Sequence, residues 1–216
     1  MMNRVFKYTL SMVFCVLLVG CQSAYYSAME KVGIHKRDIM VDRVEAAKDA
    51  QQDAQKQFKS ALSQLSQLIN FDGGELEKEY QLVKDQYDLS EQSAQRVSTK
   101  IAAIENVAKA LFDEWGTEIG EYSSAKLKHQ SELKLAQTKR KYQQLMIAMH
   151  NAEARMKPVL AALKDNTLYL KHNLNAQAIG ALQGEYHNIK QNVTSLINDM
   201  NISIAQSQKF IDAMKN

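Results

Sequence analysis

The side chains with the most chemical reach in this chain are two thiols, Cys15 and Cys21, and five imidazoles, His35, His129, His150, His172 and His187. Helical metal sites take ligands three or four residues apart, so that both reach one ion. No two of these histidines are so spaced, and two cysteines cannot build a zinc-type thiolate cluster. Each histidine is therefore expected at the surface or at a packing edge. The chain also lacks a G-x-x-x-x-G-K-[ST] phosphate loop, a G-x-G-x-x-G turn, an H-E-x-x-H pair and a G-x-S-x-G elbow. Nucleotide hydrolysis needs a phosphate cradle and a magnesium ligand set, and no visible motif assembles either. No catalytic residue, metal or cofactor is expected.

Cys21 stands apart because of what precedes it. Arg4 and Lys7 form a short positive region, and Tyr8 to Val19 form an apolar run of 12 residues, too short to span a bilayer permanently. A small-residue cleavage site follows at Leu18-Val19-Gly20-Cys21. Charge, apolar length and cleavage site together make a secretory signal peptide over residues 1–20, and the last four residues resemble the lipobox of bacterial lipoproteins. That resemblance implies a diacylglycerol on the Cys21 thiol, cleavage just before it and acylation of the new amine. The competing reading is an ordinary signal peptide or short anchor with a chance cysteine. Each buried methylene contributes roughly 0.8 kcal/mol, and stable anchoring takes more than one chain, so a triacylated Cys21 would stay on the membrane. Gln22 follows, where lipoproteins kept in the inner membrane commonly carry Asp. The resemblance thus implies the periplasmic face of the outer membrane.

With Cys15 lost and Cys21 acylated, the mature chain has no intramolecular disulfide even in an oxidising compartment. Removing Arg4 and Lys7 from 27 bases leaves 25 against 24 acids, a balance that argues against a nucleic-acid binder. One proline, Pro158, and eight glycines favour long uninterrupted helices.

The elements that would carry these residues are legible in the apolar spacing. Met40, Val44, Ala47, Gln51, Ala54, Phe58, Ala61, Leu65 and Leu68 alternate steps of four and three. So do Leu76, Tyr80, Val83, Tyr87, Ser90, Ala94, Val97, Ile101, Ile104, Ala108, Leu111 and Trp115. Such a repeat keeps its members on one helix face. Asn70-Phe71-Asp72-Gly73-Gly74 separates the two stripes and permits a sharp reversal, with Asp72 and Glu75 spaced as a capping box. A second break is expected over Gly116, Gly120, Ser123 and Ser124. A third stripe runs through Leu135, Thr138, Tyr142, Leu145, Met149, Ala152, Met156, Val159 and Leu163, with a kink or restart expected at Pro158. After Asn173-Leu174-Asn175 a fourth follows through Ile179, Leu182, Tyr186, Ile189, Val193, Leu196 and Met200, loosening at Ile204, Ile211 and Met214. The expected fold is all-α, an elongated antiparallel bundle or coiled coil of about four helices of roughly 40 to 50 residues. It comprises a tether over residues 21–37 and a helical domain over residues 38–216. Leu82, Leu89, Ala103 and Val107 widen the second stripe and favour contact with more than one helix of the same chain. The stripes themselves do not fix an oligomeric state, because they pack equally on a second copy.

Four stretches invite a binding role. Tyr25 and Tyr26 beside an acylated cysteine suit a membrane interface, and His35, Lys36 and Arg37 suit lipid phosphates; the competing reading is that Gly33 simply separates a short tether helix from the first long one. Lys126, Lys128, Lys134, Lys139, Arg140 and Lys141 face one acid, Glu132, in their own stretch. They suit anionic lipid or glycan, but Asp113, Glu114, Glu118 and Glu121 across an antiparallel turn offer internal partners, which is the favoured expectation. Tyr80, Tyr87, Tyr142 and Tyr186 fall at core spacings with Trp115 as a packing anchor. His172, Asn173 and Asn175 gather near the last connection, where Asn is favoured as a cap.

The chain resembles a family of uncharacterised gammaproteobacterial lipoproteins, a DUF2959-like domain of unknown function. The resemblance rests on the lipobox, on Tyr25-Tyr26-Ser27-Ala28-Met29-Glu30-Lys31-Val32-Gly33 and on His35-Lys36-Arg37-Asp38. It extends through Phe71-Asp72-Gly73-Gly74, Ala110-Leu111-Phe112-Asp113-Glu114-Trp115 and Leu170-Lys171-His172-Asn173-Leu174-Asn175-Ala176-Gln177-Ala178-Ile179. It implies no activity and no site residues. The expectation from the residues is a non-catalytic envelope scaffold or adaptor, held to the membrane by Cys21 and contacting an envelope protein. The alternative is an enzyme or enzyme activator acting on cell-wall or lipid material near Pro158 and the Asn173-Leu174-Asn175 connection.

Overall fold

A computed structural model of the chain describes residues 25–26, 28–71, 73 and 75–215. Four long helices carry the fold: α1 (Lys36–Ile69), α2 (Leu76–Glu121), α3 (Ala125–His172) and α4 (Ala176–Lys215), of 34, 46, 48 and 40 residues. No strand occurs among the described residues. Short connections reverse the chain each time, and α1 packs on α2 and α4, as α3 does. The result is an antiparallel four-helix bundle closed into a ring, about 50 to 70 Å long at 1.5 Å per residue.

The core follows the stripes. All nine members of the α1 stripe are buried, as are nine of twelve in α2; Leu76, Tyr87 and Trp115 are half-buried. Burial of these rows is what holds helices of this length together, since propensity alone contributes little. Polar cross-ties also bridge the interfaces. Gln57 Nε2 donates to Gln86 Oε1 at 2.9 Å between α1 and α2, and Gln55 Nε2 to Asn201 Oδ1 at 2.8 Å between α1 and α4. Between α3 and α4, Arg155 Nε donates to Asp199 Oδ2 at 2.8 Å.

Several sequence expectations are corrected. Asp72 lies outside the described residues, and the N-cap of α2 is Glu75, which makes no side-chain cap bond. Gly73 takes φ +151, so the reversal does use a glycine. Gly116 and Gly120 do not break α2, which continues to Glu121; the turn is Tyr122 to Ser124, where Ser124 Oγ accepts from the Leu127 N–H at 3.4 Å. Nor does α3 restart at Pro158. Pro158 and Ala154, whose carbonyl it leaves without an amide, are both exposed, so water can satisfy that carbonyl, while buried Met156 and Val159 hold the helix on its neighbours. Leu82 and Leu89 are 39% and 44% exposed. Val107, expected on that face of α2, is buried and Ala103 half-buried, and Ser93 and Phe112, both buried, complete it in place of Leu82 and Leu89. In α4 the stripe continues through Ser203, Ser207 and Phe210, with Ile204 half-buried.

Candidate functional site

Cys21 and its cleavage site lie outside the described residues, which begin four positions later at Tyr25. Residues 25–26 and 28–31 are helical, and Gly33, at φ +83, turns the chain into α1. This entry folds onto the end of the bundle. Tyr26 is 8% exposed and joins the main hydrophobic cluster, its ring edge-on to Tyr25 with centroids 5.4 Å apart. Burial, above all, pushes its phenol pKa up. Tyr25 remains exposed.

Lys36, the first residue of α1, is 9% exposed and forms two ion pairs, one with Glu30 of the entry segment and one at 2.7 Å with Glu114 of α2. The hydrogen bond from Lys36 holds the Glu30 carboxyl below its ordinary value. Burial of Lys36 works against its charge more than any other single influence, yet Glu114 and Glu30 together raise its pKa. His35 and Arg37 stay exposed, and the His35 backbone N–H donates to Asp38 Oδ2 at 3.3 Å. An open groove of about 450 Å³ runs here past Lys36, Arg37, Glu114, Trp115 and Met214. Of the five residues read from sequence as membrane-proximal, Tyr25, His35 and Arg37 are accessible at this end, while Tyr26 and Lys36 are engaged within the protein. The described residues of the entry segment pack on the end of the bundle, and α1 starts at Lys36, two residues before the expected boundary at Asp38.

The α2–α3 hairpin continues past this end, since α2 runs from Glu114, beside the start of α1, to Glu121. Among the described residues, none of Lys126, Lys128, Lys134, Lys139, Arg140 and Lys141 forms an ion pair, contrary to the expected pairing with the α2 acids. Glu114 is taken by Lys36, and Asp113 pairs with Lys109 one turn away at 2.6 Å. Lys139 Nζ sits 5.6 Å over the Phe112 ring, which packs edge-on against Tyr142. Trp115 Nε1 donates to Ser131 Oγ at 2.8 Å, closing the hairpin.

The aromatic residues serve packing at separate levels of the bundle. Tyr87 donates to Glu91 Oε1 at 2.9 Å, and burial first, then that carboxylate, pushes its phenol up to about 12. No group of three or more His, Cys, Asp or Glu side chains is arranged to hold a metal among the described residues. His150 instead bridges Glu105 of α2 and Glu153 of its own helix, each at 3.0 Å. At the far end Asn173 Nδ2 donates to the Tyr169 carbonyl at 2.9 Å, Asn175 Oδ1 accepts from the Ala178 N–H at 3.1 Å, and His172 is exposed. The two asparagines act as helix caps. No described helix is long and apolar enough to cross a membrane.

Sequence reasoning did not find the Glu30–Lys36–Glu114 cluster. Lysine in the first turn of a helix is unfavourable to the helix dipole, a weak signal of a specific partner, but that partner lies 78 positions away. The chain matches no curated protein and no solved structure. The family described as "Protein of unknown function (DUF2959)" matches residues 25–214, and the chain belongs to it.

Proposed function

We propose that this member of the family is a non-catalytic, lipid-anchored scaffold or adaptor of the bacterial cell envelope, held at the periplasmic face of the outer membrane through acylated Cys21. The observation that carries the reading is the run Arg4, Lys7, Tyr8 to Val19 and Leu18-Val19-Gly20-Cys21 at the head of an otherwise helical chain. The architecture supports it. Tyr25, four residues after Cys21, sits at one end of a rod, so an anchored chain would hold its opposite end about 50 to 70 Å away along the bundle. Tyr25, His35, Arg37 and the hairpin bases are accessible on the anchored side and suit lipid headgroups. A catalytic alternative would draw on His172, Asn173 and Asn175, and the use of both asparagines as caps favours the non-catalytic reading.

Intact mass and membrane fractionation of the native protein beside a Cys21→Ala variant test it. A triacylated chain beginning at Cys21 in the outer-membrane fraction, lost in the variant, is the expected result. An unprocessed or unacylated chain removes the anchor and the reading with it. In-cell crosslinking then identifies the envelope partner, and capture of no reproducible protein would leave the adaptor role without support.

A further inference from the structure

α3 packs on α2 and α4, and the side it turns away from both is exposed. On that side Lys126, Leu133, Arg140 and Ile147 recur every seventh residue, so they share one face of the helix, and Lys134 and Lys141 flank the row. All six are exposed, Leu133 by 50% and Ile147 by 63%. None of the four bases forms an ion pair among the described residues. Residues 122–150 hold six bases and a single acid, Glu132, which falls on another face and lies 3.8 Å from His129. Acids of the neighbouring helices at this level are engaged: Glu105 meets His150, Asp113 meets Lys109, Glu114 meets Lys36 and Asp212 meets Gln208. Glu118 lines the groove on the α1 side, and Glu121 stands at the turn. A positive strip with two exposed aliphatic side chains therefore runs about 30 Å along α3. It starts at the end of the bundle where the chain enters, since Glu114, near the end of α2, meets Lys36 at the start of α1.

We infer that this face of α3 rests on the headgroups of an anionic bilayer, so that the bundle lies along the membrane rather than standing upright on its lipid. The inference rests on the anchored reading, because the lipid at Cys21 is what holds the chain at a bilayer. Each Lys or Arg near an anionic surface strengthens association about fivefold, and Leu133 and Ile147 add apolar contact at the boundary. In an upright rod Lys134, Arg140 and Lys141 would stand about 12 to 22 Å above Lys126 along the helix. That exceeds the screening length of about 8 Å at physiological salt, so only a rod lying on this face brings all four bases to the lipid.

The test places a tryptophan on the face, Leu133→Trp, and another across the bundle at exposed Asp42 of α1, Asp42→Trp, in the full-length protein purified from membranes. Each is mixed with vesicles of phosphatidylethanolamine and phosphatidylglycerol at about 3:1, or of phosphatidylcholine alone, carrying lipids brominated near the headgroup. Quenching is read relative to the parent, whose single tryptophan is Trp115. Leu133→Trp should be quenched on the anionic vesicles and Asp42→Trp should not. The quenching should be lost on phosphatidylcholine, in about 0.5 M salt, and when Lys126→Gln, Lys134→Gln, Arg140→Gln and Lys141→Gln are combined. All four bases are exposed and unpaired, so that variant should keep the parent's unfolding midpoint. Cosedimentation with phosphatidylcholine vesicles reports the anchor separately. A chain that stays on them while Leu133→Trp is quenched on neither composition keeps the anchor and overturns the inference. A chain that leaves them yet is quenched on anionic vesicles loses the anchor and keeps the face. Equal quenching at position 42, or quenching that survives the fourfold change, also overturns it. Were soluble polyglutamate to shift the Leu133→Trp emission while anionic vesicles did not, the face would belong to an acidic protein and the inference would fall.

Discussion

Lys36 Nζ lies 2.7 Å from Glu114 Oε1, joining the first residue of α1 to α2 two turns before that helix ends. Because Glu30 meets the same ammonium, one lysine fastens both the chain entry and the α2–α3 hairpin to the end of the bundle.

Replacing Lys36 by Met therefore leaves two carboxylates facing each other across an apolar side chain. Both carboxylates are about one-third exposed, which moderates the cost to about 1–2 kcal/mol. Urea unfolding measures this loss, and hydrogen exchange should quicken over residues 28–31. Unchanged exchange there would show that Tyr26 packing alone holds the entry.

His150 gives the stability a pH signature. Its pKa is raised above 6.5: burial opposes the charge most, but the hydrogen bonds to Glu153 and Glu105 together outweigh it. A raised folded pKa means that the stabilisation is fully present below about 6.5 and is lost as pH climbs through the folded value. Glu153 is shifted down from 4.5, so its share is lost as acid passes below that value. A His150→Gln variant should be less stable than the parent near pH 5.5 and converge with it near pH 8.5, in paired denaturation curves. Because the ring is nearly half exposed, the gap should stay within about 1 kcal/mol.

Gln51 is wholly buried, and its Oε1 accepts from Ser203 Oγ at 2.9 Å, but its Nε2 has no partner. Changing Gln51 to Met and Ser203 to Ala together removes the pair and the orphaned donor. A gain of about 1 kcal/mol or more is expected in chemical denaturation. A clear loss would mean that the polar layer is worth more than its unpaired nitrogen costs.

Phe58 is fully buried, and Phe58→Ala should cost about 3–5 kcal/mol. Leu82→Ala, on a 39% exposed residue, should stay within about 0.5 kcal/mol. Equal losses would contradict the observed α2 face.

The stripes were readable because burial on one face of a straight helix repeats locally, as the uninterrupted burial from Met40 to Leu68 shows. Breakers were less readable. Gly116, Gly120 and Pro158 each weaken a helix, but α2 and α3 continue through them, because single breakers cost less than the packing of the whole helix contributes. For the same reason Leu82 and Leu89, apolar and regularly spaced, did not reveal which side of α2 would meet α3.

By itself the sequence determined the all-α class, the three chain reversals and the rows that form the core, since each depends on residues a few positions apart. It also carries, as a local string, the run ending at Leu18-Val19-Gly20-Cys21 on which the proposed acylation rests. Only the tertiary structure decided which charges meet. Lys36 took Glu114, and among the described residues the six hairpin bases were left without acid partners. Those outcomes depend on the register and rotation of whole helices against one another. That choice is made by the sum of all buried contacts, so no short stretch of chain records it.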